Sequence, residues 1–216
     1  LGIVVFFIKI YYKKERRMNY RNIYWYFEKA LSNEICDEIL KIGIKKNKQL
    51  AKVGGHSKNI KDLKKIRNSN IAWLDHKWIY KKIHPYIYTA NKNSGWNFQW
   101  DYSESCQFTK YSKKQFYGWH QDSWEEPYDI PNEPQKHGKI RKLSVSVMLS
   151  DPNSYKGGEL EFHTGNIKDN KTLICNELKQ KGSIVVFPSF IWHRIKPVTK
   201  GTRYSLVIWN LGLPYI

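Results

Sequence analysis

Polar and apolar positions change their period midway along the chain. From Ser32 to about Lys46 the spacing is helical: Ile35, Ile39, Leu40 and Ile42 form one stripe, Ser32 or Asn33 can cap, and Glu34 and Asp37 fall in the first turn. Gly43 weakens the end of that helix. The span 47–68 is polar, with a turn at Gly54-Gly55 and a short Lys-rich helix near 60–66. Residues 70–74 predict a short strand. Asp75 then caps a second helix, with Trp78, Ile79 and Ile83 on one face and an interruption or kink at Pro85, followed by a loop over 91–95.

After Gly95 the period falls to two. Strands are predicted over 96–100, 105–111 and 115–122. The clearest covers 140–150, where Leu143, Val145, Val147 and Leu149 alternate with Ser144, Ser146 and Met148. Strands follow at 159–163 and 182–187, and 192–196 with 202–210 reads as a hairpin around the turn 197–201. Between Ser123 and Gly138 lie three prolines and four acidic residues, a long irregular loop that suits a lid or an exposed connection equally.

A helical first part followed by evenly spaced short strands predicts an α+β, mainly β fold. The expected form is a double-stranded β-helix (jelly roll) with N-terminal helices packed outside. Three regions follow: an extension over 1–17, a helical support region over 18–95, and the β domain over 96–216. The apolar run Leu1 to Ile8 is far short of the roughly 20 residues that span a bilayer, so no membrane span is expected. Its basic cluster follows the apolar run, whereas a secretory signal carries it in front. Met18 is a plausible native start, making 1–17 non-native or flexible; a clipped membrane anchor with a basic flank is the rival reading.

Composition narrows this further. The 216 residues, 41% hydrophobic and 15% aromatic, suit one folded domain with an extension. Three cysteines without Cys-x-x-Cys spacing indicate neither a disulfide framework nor a zinc knuckle, and a reducing, cytoplasmic setting fits. A net charge of +18 raises nucleic acid or an acidic surface as partner. Codon bias competes, because Lys, Ile, Asn and Tyr are all served by A/T-rich codons. The ten basic residues from Lys41 to Arg67 read better as a solvated helix face than as a binding patch.

The candidate chemistry is a His-x-Asp pair, His120 and Asp122, with a distant His193 and a trailing Arg203. In a strand, positions two apart share a face, which would point His120 and Asp122 together. Two imidazoles and one carboxylate form the ligand set of non-haem iron(II) oxygenases, which keep open coordination positions. Alone the pair is weak, since among seven histidines an Asp two places on arises by chance roughly one time in four. Arg203 strengthens it. Ser205 shares its face, and a guanidinium facing a barrel interior is costly unless it meets an anion such as a carboxylate gripped as a fork.

On these residues the chain resembles the iron(II)- and 2-oxoglutarate-dependent dioxygenases, most closely their prolyl 4-hydroxylase-like, PKHD-type branch. The stretches that carry it are Phe108 to Tyr111, Tyr117 to Asp122, Arg141 to Asp151, Gly157 to Phe162, Gly182 to Ser189, and Trp192-His193 through Arg203 to Val207. The resemblance implies iron held by the catalytic residues His120, Asp122 and His193. It further implies that Arg203 grips the distal carboxylate of 2-oxoglutarate, helped by Ser205 and Tyr111. Met148 stands where some relatives place a co-substrate tyrosine, and Tyr111 could compensate. The implied cofactors are Fe(II), 2-oxoglutarate and dioxygen, with ascorbate as an optional addition.

The implied reaction hydroxylates a C–H bond as 2-oxoglutarate is decarboxylated to succinate and carbon dioxide. Asp122 favours hydroxylation over halogenation, because halogenating relatives lack that carboxylate. The expected substrate is a prolyl or other amino-acid residue in a peptide or protein, proline resting on family analogy alone. A nucleic-acid substrate is the alternative. Against it, the alkylation-repair demethylases carry a second Arg six residues beyond the first, where this chain has Trp209. A non-enzymatic metal-binding module would predict a lost ligand, and none is lost. His56, His76, His84, His137 and His163 read as structural or surface residues, and Trp119, Trp124 and Trp192 as core walls beside the ligands.

Overall fold

The computed structural model describes residues 23–46, 49–50, 66–164 and 171–215. The expected extension over 1–17, the turn at Gly54-Gly55 and nearly all of the Lys-rich helix lie outside them. In chain order the elements are β1 (Trp25–Phe27), α1 (Asn33–Lys45), β2 (Gln49–Leu50), β3 (Arg67–Asn68), β4 (Asn70–Leu74) and α2 (Lys77–Asn93). There follow β5 (Tyr102–Ser103), β6 (Cys106–Ser112), β7 (Phe116–His120), β8 (Ile140–Met148), β9 (Tyr155–Gly157), β10 (Leu160–His163) and β11 (Thr172–Ile174). A 3-10 turn at Asn176–Lys179 precedes β12 (Ile184–Pro188), β13 (His193–Ile195) and β14 (Val198–Gly212).

The protein is mainly β, with antiparallel pairing throughout. The larger sheet runs β1-β12-β8-β14-β6-β4-β2, with β5 and β9 also on β14; the smaller runs β11-β10-β13-β7-β3. Alternation along the central strands separates two cores. Leu143, Val145, Val147, Ile184, Val186, Leu206 and Ile208 meet Ile39, Ile79, Ile83 and Ile87 of the helices. On the opposite parity, Met148, Val185 and Phe187 meet Leu160, Phe162 and Ile195 of the smaller sheet. The larger sheet is therefore covered by helices on one face and by strands on the other.

Ser32 caps α1 as expected, its side chain accepting from Ile35 N. Gly43, expected to weaken that helix, is instead where it lies on the sheet: a Cβ there would overlap the Phe108 ring. Helix α2 starts later than expected. Its N-cap is His76, which makes no side-chain capping bond, so Asp75 stands outside. The helix also runs through Pro85. Ile79, Ile83 and Ile87 are fully buried, each worth about 1.5–3 kcal/mol, which outweighs the ~3 kcal/mol of an interior proline. Pro85 lies on the exposed side, where water can satisfy the carbonyl it leaves open.

Two strand expectations are corrected. Residues 96–100 form no strand, and at their centre Asn91 takes both backbone bonds of Phe98: its Nδ2 donates to Phe98 O at 2.8 Å and its Oδ1 accepts from Phe98 N at 3.0 Å. Nor do 192–196 and 202–210 form a hairpin. β13 pairs with β10 and β7 in the smaller sheet, whereas β14 pairs with β6, β8 and β9 in the larger. Arg203 therefore enters the interior from a different sheet than His193, not across a turn from it. Among the described residues, no helix is long and apolar enough to cross a membrane.

Candidate metal and co-substrate site

His120 ends β7, and in register it stands opposite His193, the first residue of β13. Asp122 lies beyond β7, so strand alternation is not what brings it to His120. Instead its backbone N–H bonds to Ser189 O at 2.8 Å, turning the carboxylate inward. Ser144 then donates to Asp122 Oδ2 at 2.7 Å and lies 2.9 Å from Ser189 Oγ. His120 Nε2 is 3.7 Å from Asp122 Oδ1, and His193 Nε2 is 3.5 Å from Oδ2. One ligand atom from each residue lies within 4.8 Å of the others, the one such convergence of metal-ligating side chains among the described residues.

The ring nitrogens are already sorted. Nδ1 of His120 lies 2.8 Å from Gly118 O, and Nδ1 of His193 lies 2.9 Å from Ile191 O. A carbonyl accepts only from Nδ1–H, so each Nε2 keeps its lone pair for the centre. Burial, then the neighbouring His193, lower the His120 pKa to about 3, keeping that ring neutral and able to ligate. Burial alone would raise the Asp122 pKa. His193, His120, Arg141 and the Ser144 hydroxyl outweigh it and hold the carboxyl below its usual range. A carboxylate and two imidazoles that each turn Nε2 toward it suit a divalent metal.

Arg203 projects from β14 toward the same interior. It is 1% exposed and stands in register opposite Tyr111, its Cζ 5.6 Å from that ring's centre. Its Nη1 donates to Ser205 Oγ at 2.9 Å. Its Nε and Nη2 are buried and, among the described residues, without a partner. Those two nitrogens form the side-on fork of a guanidinium, the edge that takes a carboxylate in two parallel bonds. A buried cation with that edge empty is costly, so the residues fit a carboxylate-bearing co-substrate. Gly158 makes the space: a Cβ there would come within 2.9 Å of Arg203 Cδ.

One cavity takes in His120, Asp122 and His193 together with Tyr111 and Ser205, and a second beside it reaches Arg203; the two share Leu160. The six candidate residues are thus brought together. Several further lining residues had not been foreseen. The Tyr117 ring lies on His120, centroids 3.5 Å apart and 14° from parallel. Arg67, expected on a solvated face, is 5% exposed and lies over Tyr117. Ser144 was visible only as a polar member of an alternating strand. By contrast, Trp124 (45% exposed) and Trp192 (36%) are not core walls, and Trp119 packs under Arg194. The described lining of the triad cavity includes no residue of 123–139.

Residues 106–210 match the sequence model of the 2OG-Fe(II) oxygenase superfamily. The matched stretch runs from β6 into β14 and carries all six candidate residues. A PKHD-type hydroxylase of Alteromonas mediterranea is 35% identical to this chain over 103 residues, 47% of this chain and 41% of the relative. The chain thus spans about two fifths of the length of the curated relatives it matches. The crystal structure of a Pseudomonas putida prolyl-4-hydroxylase superposes with a TM-score of 0.64 at 17% identity, covering 87% of this chain and 92% of that one. A Trichoplax adhaerens prolyl hydroxylase, in complex with a hypoxia inducible factor peptide fragment, gives 0.61 at 16% identity, covering 88% and 83%. At such identities the likeness is one of fold.

Proposed function

We propose that this chain is an iron(II)- and 2-oxoglutarate-dependent dioxygenase that hydroxylates a C–H bond of a prolyl or other amino-acid residue in a peptide or protein. The observation that carries the reading is the convergence of His120, Asp122 and His193 within 4.8 Å. Those three residues would hold the iron, and Arg203, Ser205 and Tyr111 the distal carboxylate of 2-oxoglutarate. When bound, the iron and 2-oxoglutarate supply the oxidising chemistry, in which dioxygen is consumed, succinate and carbon dioxide are released, and the substrate gains a hydroxyl. Ascorbate would be an optional reductant.

The chain's own part is placement and exclusion. Hydrogen bonds at Nδ1 hold both imidazoles, and Ser144 holds one oxygen of Asp122. Leu160, Phe187, Ile195 and Val207 wall the cavity with hydrocarbon, which keeps water from the reacting centre. Arg203 adds a fixed anchor at a depth set by its strand. The two facing sheets read as a double-stranded β-helix, with 96–216 as catalytic unit and 18–95 as its support. A peptide substrate is supported by the PKHD-type relatives and by the prolyl hydroxylases of like fold, one of them peptide-bound.

The test is succinate release, with product analysis, against prolyl peptides, free amino acids and methylated oligonucleotides. Succinate release coupled to hydroxylation of a prolyl peptide is the expected result. Coupling to oligonucleotides alone contradicts the peptide assignment.

A further inference from the structure

Arg67 precedes the segment matched by the superfamily, and the reaction described above gives it no role. It is 5% exposed and pairs in register with Tyr117, its Cζ 4.5 Å from that ring's centre. Tyr117 in turn lies on His120, so cation, phenol and imidazole form one stack beside the triad. The Arg67 Nε–H donates to Ser69 Oγ at 3.0 Å, and the side chain lines the triad cavity. Among the described residues no carboxylate pairs with it.

Charge balance singles it out. Arg141, the other arginine near Asp122, is answered in two places by Glu104, at 3.0 and 2.6 Å. A divalent iron and the Arg203 cation would be matched by the Asp122 carboxylate and the 2-oxoglutarate dianion. Among the described residues Arg67 then remains an enclosed positive charge without an opposite number, which is unfavourable until an anion arrives. Trp209 adds a second donor to the same cavity, its Nε1–H buried and without a partner among the described residues.

We propose that Arg67 binds a carboxylate of the substrate. The preferred peptide then carries an acidic group, an Asp or Glu side chain or a free C-terminus, beside the residue to be hydroxylated. This deepens the dioxygenase reading and rests on it. A phosphodiester backbone is less suited, because it is tracked by cations in a row along an open groove, whereas Arg67 is single and enclosed. The net charge of +18 would draw acidic peptides to the protein from solution.

The experiment uses prolyl peptides that differ only in Glu or Gln flanking the proline, or in a free or amidated C-terminus. Each is titrated into the anaerobic complex with iron(II) and 2-oxoglutarate, and kcat and KM are measured separately. Wild type should bind at least one acidic peptide about tenfold or more tightly than its neutral match, the scale of a charge-assisted pair. Arg67→Gln should abolish that preference while keeping the charge-transfer band of the iron complex, and Arg67→Lys should restore part of it. A wild type that shows the band but no acidic preference overturns the assignment, and this comparison needs no variant. Preference that survives Arg67→Gln overturns it too, as does Arg67-dependent binding of a methylated oligonucleotide in place of any peptide. A wild type without the band contradicts the dioxygenase reading itself, so the two failures are distinguishable.

Discussion

Ser144 and Asp122, both buried, share a 2.7 Å hydrogen bond that holds the one carboxylate of the metal set. The serine belongs to the inward parity of β8, between Leu143 and Val145 on the opposite one. Strand alternation therefore orients a ligand it does not itself carry. Ser144→Ala should leave the fold intact and weaken iron(II) or manganese(II) binding by about 10–100-fold, as loss of a partner behind a ligand does elsewhere. Metal titration by calorimetry checks this, and unchanged affinity would contradict it.

Gly158 tests the co-substrate anchor without touching its charge. Its φ is +69°, and an added Cβ would press on Arg203 Cδ at 2.9 Å. Gly158→Ala should weaken 2-oxoglutarate or N-oxalylglycine binding by about tenfold, from strain on the order of 1–3 kcal/mol. Metal affinity should be nearly unchanged. A parallel loss of both would instead indicate a general loosening of the site.

Gly43 gives a stability test whose sign is informative. Glycine to alanine inside a helix ordinarily stabilises by roughly 0.5–1 kcal/mol. Here the new methyl would meet the Phe108 ring, so Gly43→Ala should destabilise by about 1–3 kcal/mol. Urea unfolding measures it, and a gain in stability would show that α1 does not lie on the sheet as described.

The pH dependence of the metal-free protein follows from His120. Its folded pKa, lowered to about 3, lies below its unfolded value of about 6.5. Between those values the unfolded chain binds the extra proton, so stability is full above about pH 6.5 and falls as acid is added. The loss is about 2 kcal/mol by pH 5. Asp122, also lowered, contributes only below its ordinary range, so pH 5–7 is free of it. Burial lowers His84 as well, so the diagnostic is the difference between wild type and His120→Asn, which should have the flatter profile in thermal melts.

Where one period ran undisturbed, the chain's order was legible. Ile140–Met148 is a strand whose Leu and Val positions face the helices and whose serines face the site. His120, Asp122, His193, Arg203 and Ser205 were named from motif and spacing, Tyr111 from the family resemblance alone, and the six lie around two adjoining cavities. The reasons were less complete than the names. Asp122 is turned by Ser189 rather than by strand alternation, and Arg203 arrives from a different sheet. Such facts depend on long-range pairing, which no local window contains. Arg67 was hidden because its neighbours are lysines of a polar stretch, and only the pairing of β3 with β7 brings it inside. At 96–100 a side chain likewise intervenes, since Asn91 takes both backbone bonds of Phe98.

The most direct measurement is an anaerobic titration of the metal-free protein with iron(II) and 2-oxoglutarate, followed by visible absorption. Wild type should develop the metal-to-ligand charge-transfer band of a chelated 2-oxo acid, and His193→Ala and Arg203→Ala should lose it at the same concentrations. A wild type without the band, or variants that both retain it, would contradict the assignment of these residues as one site.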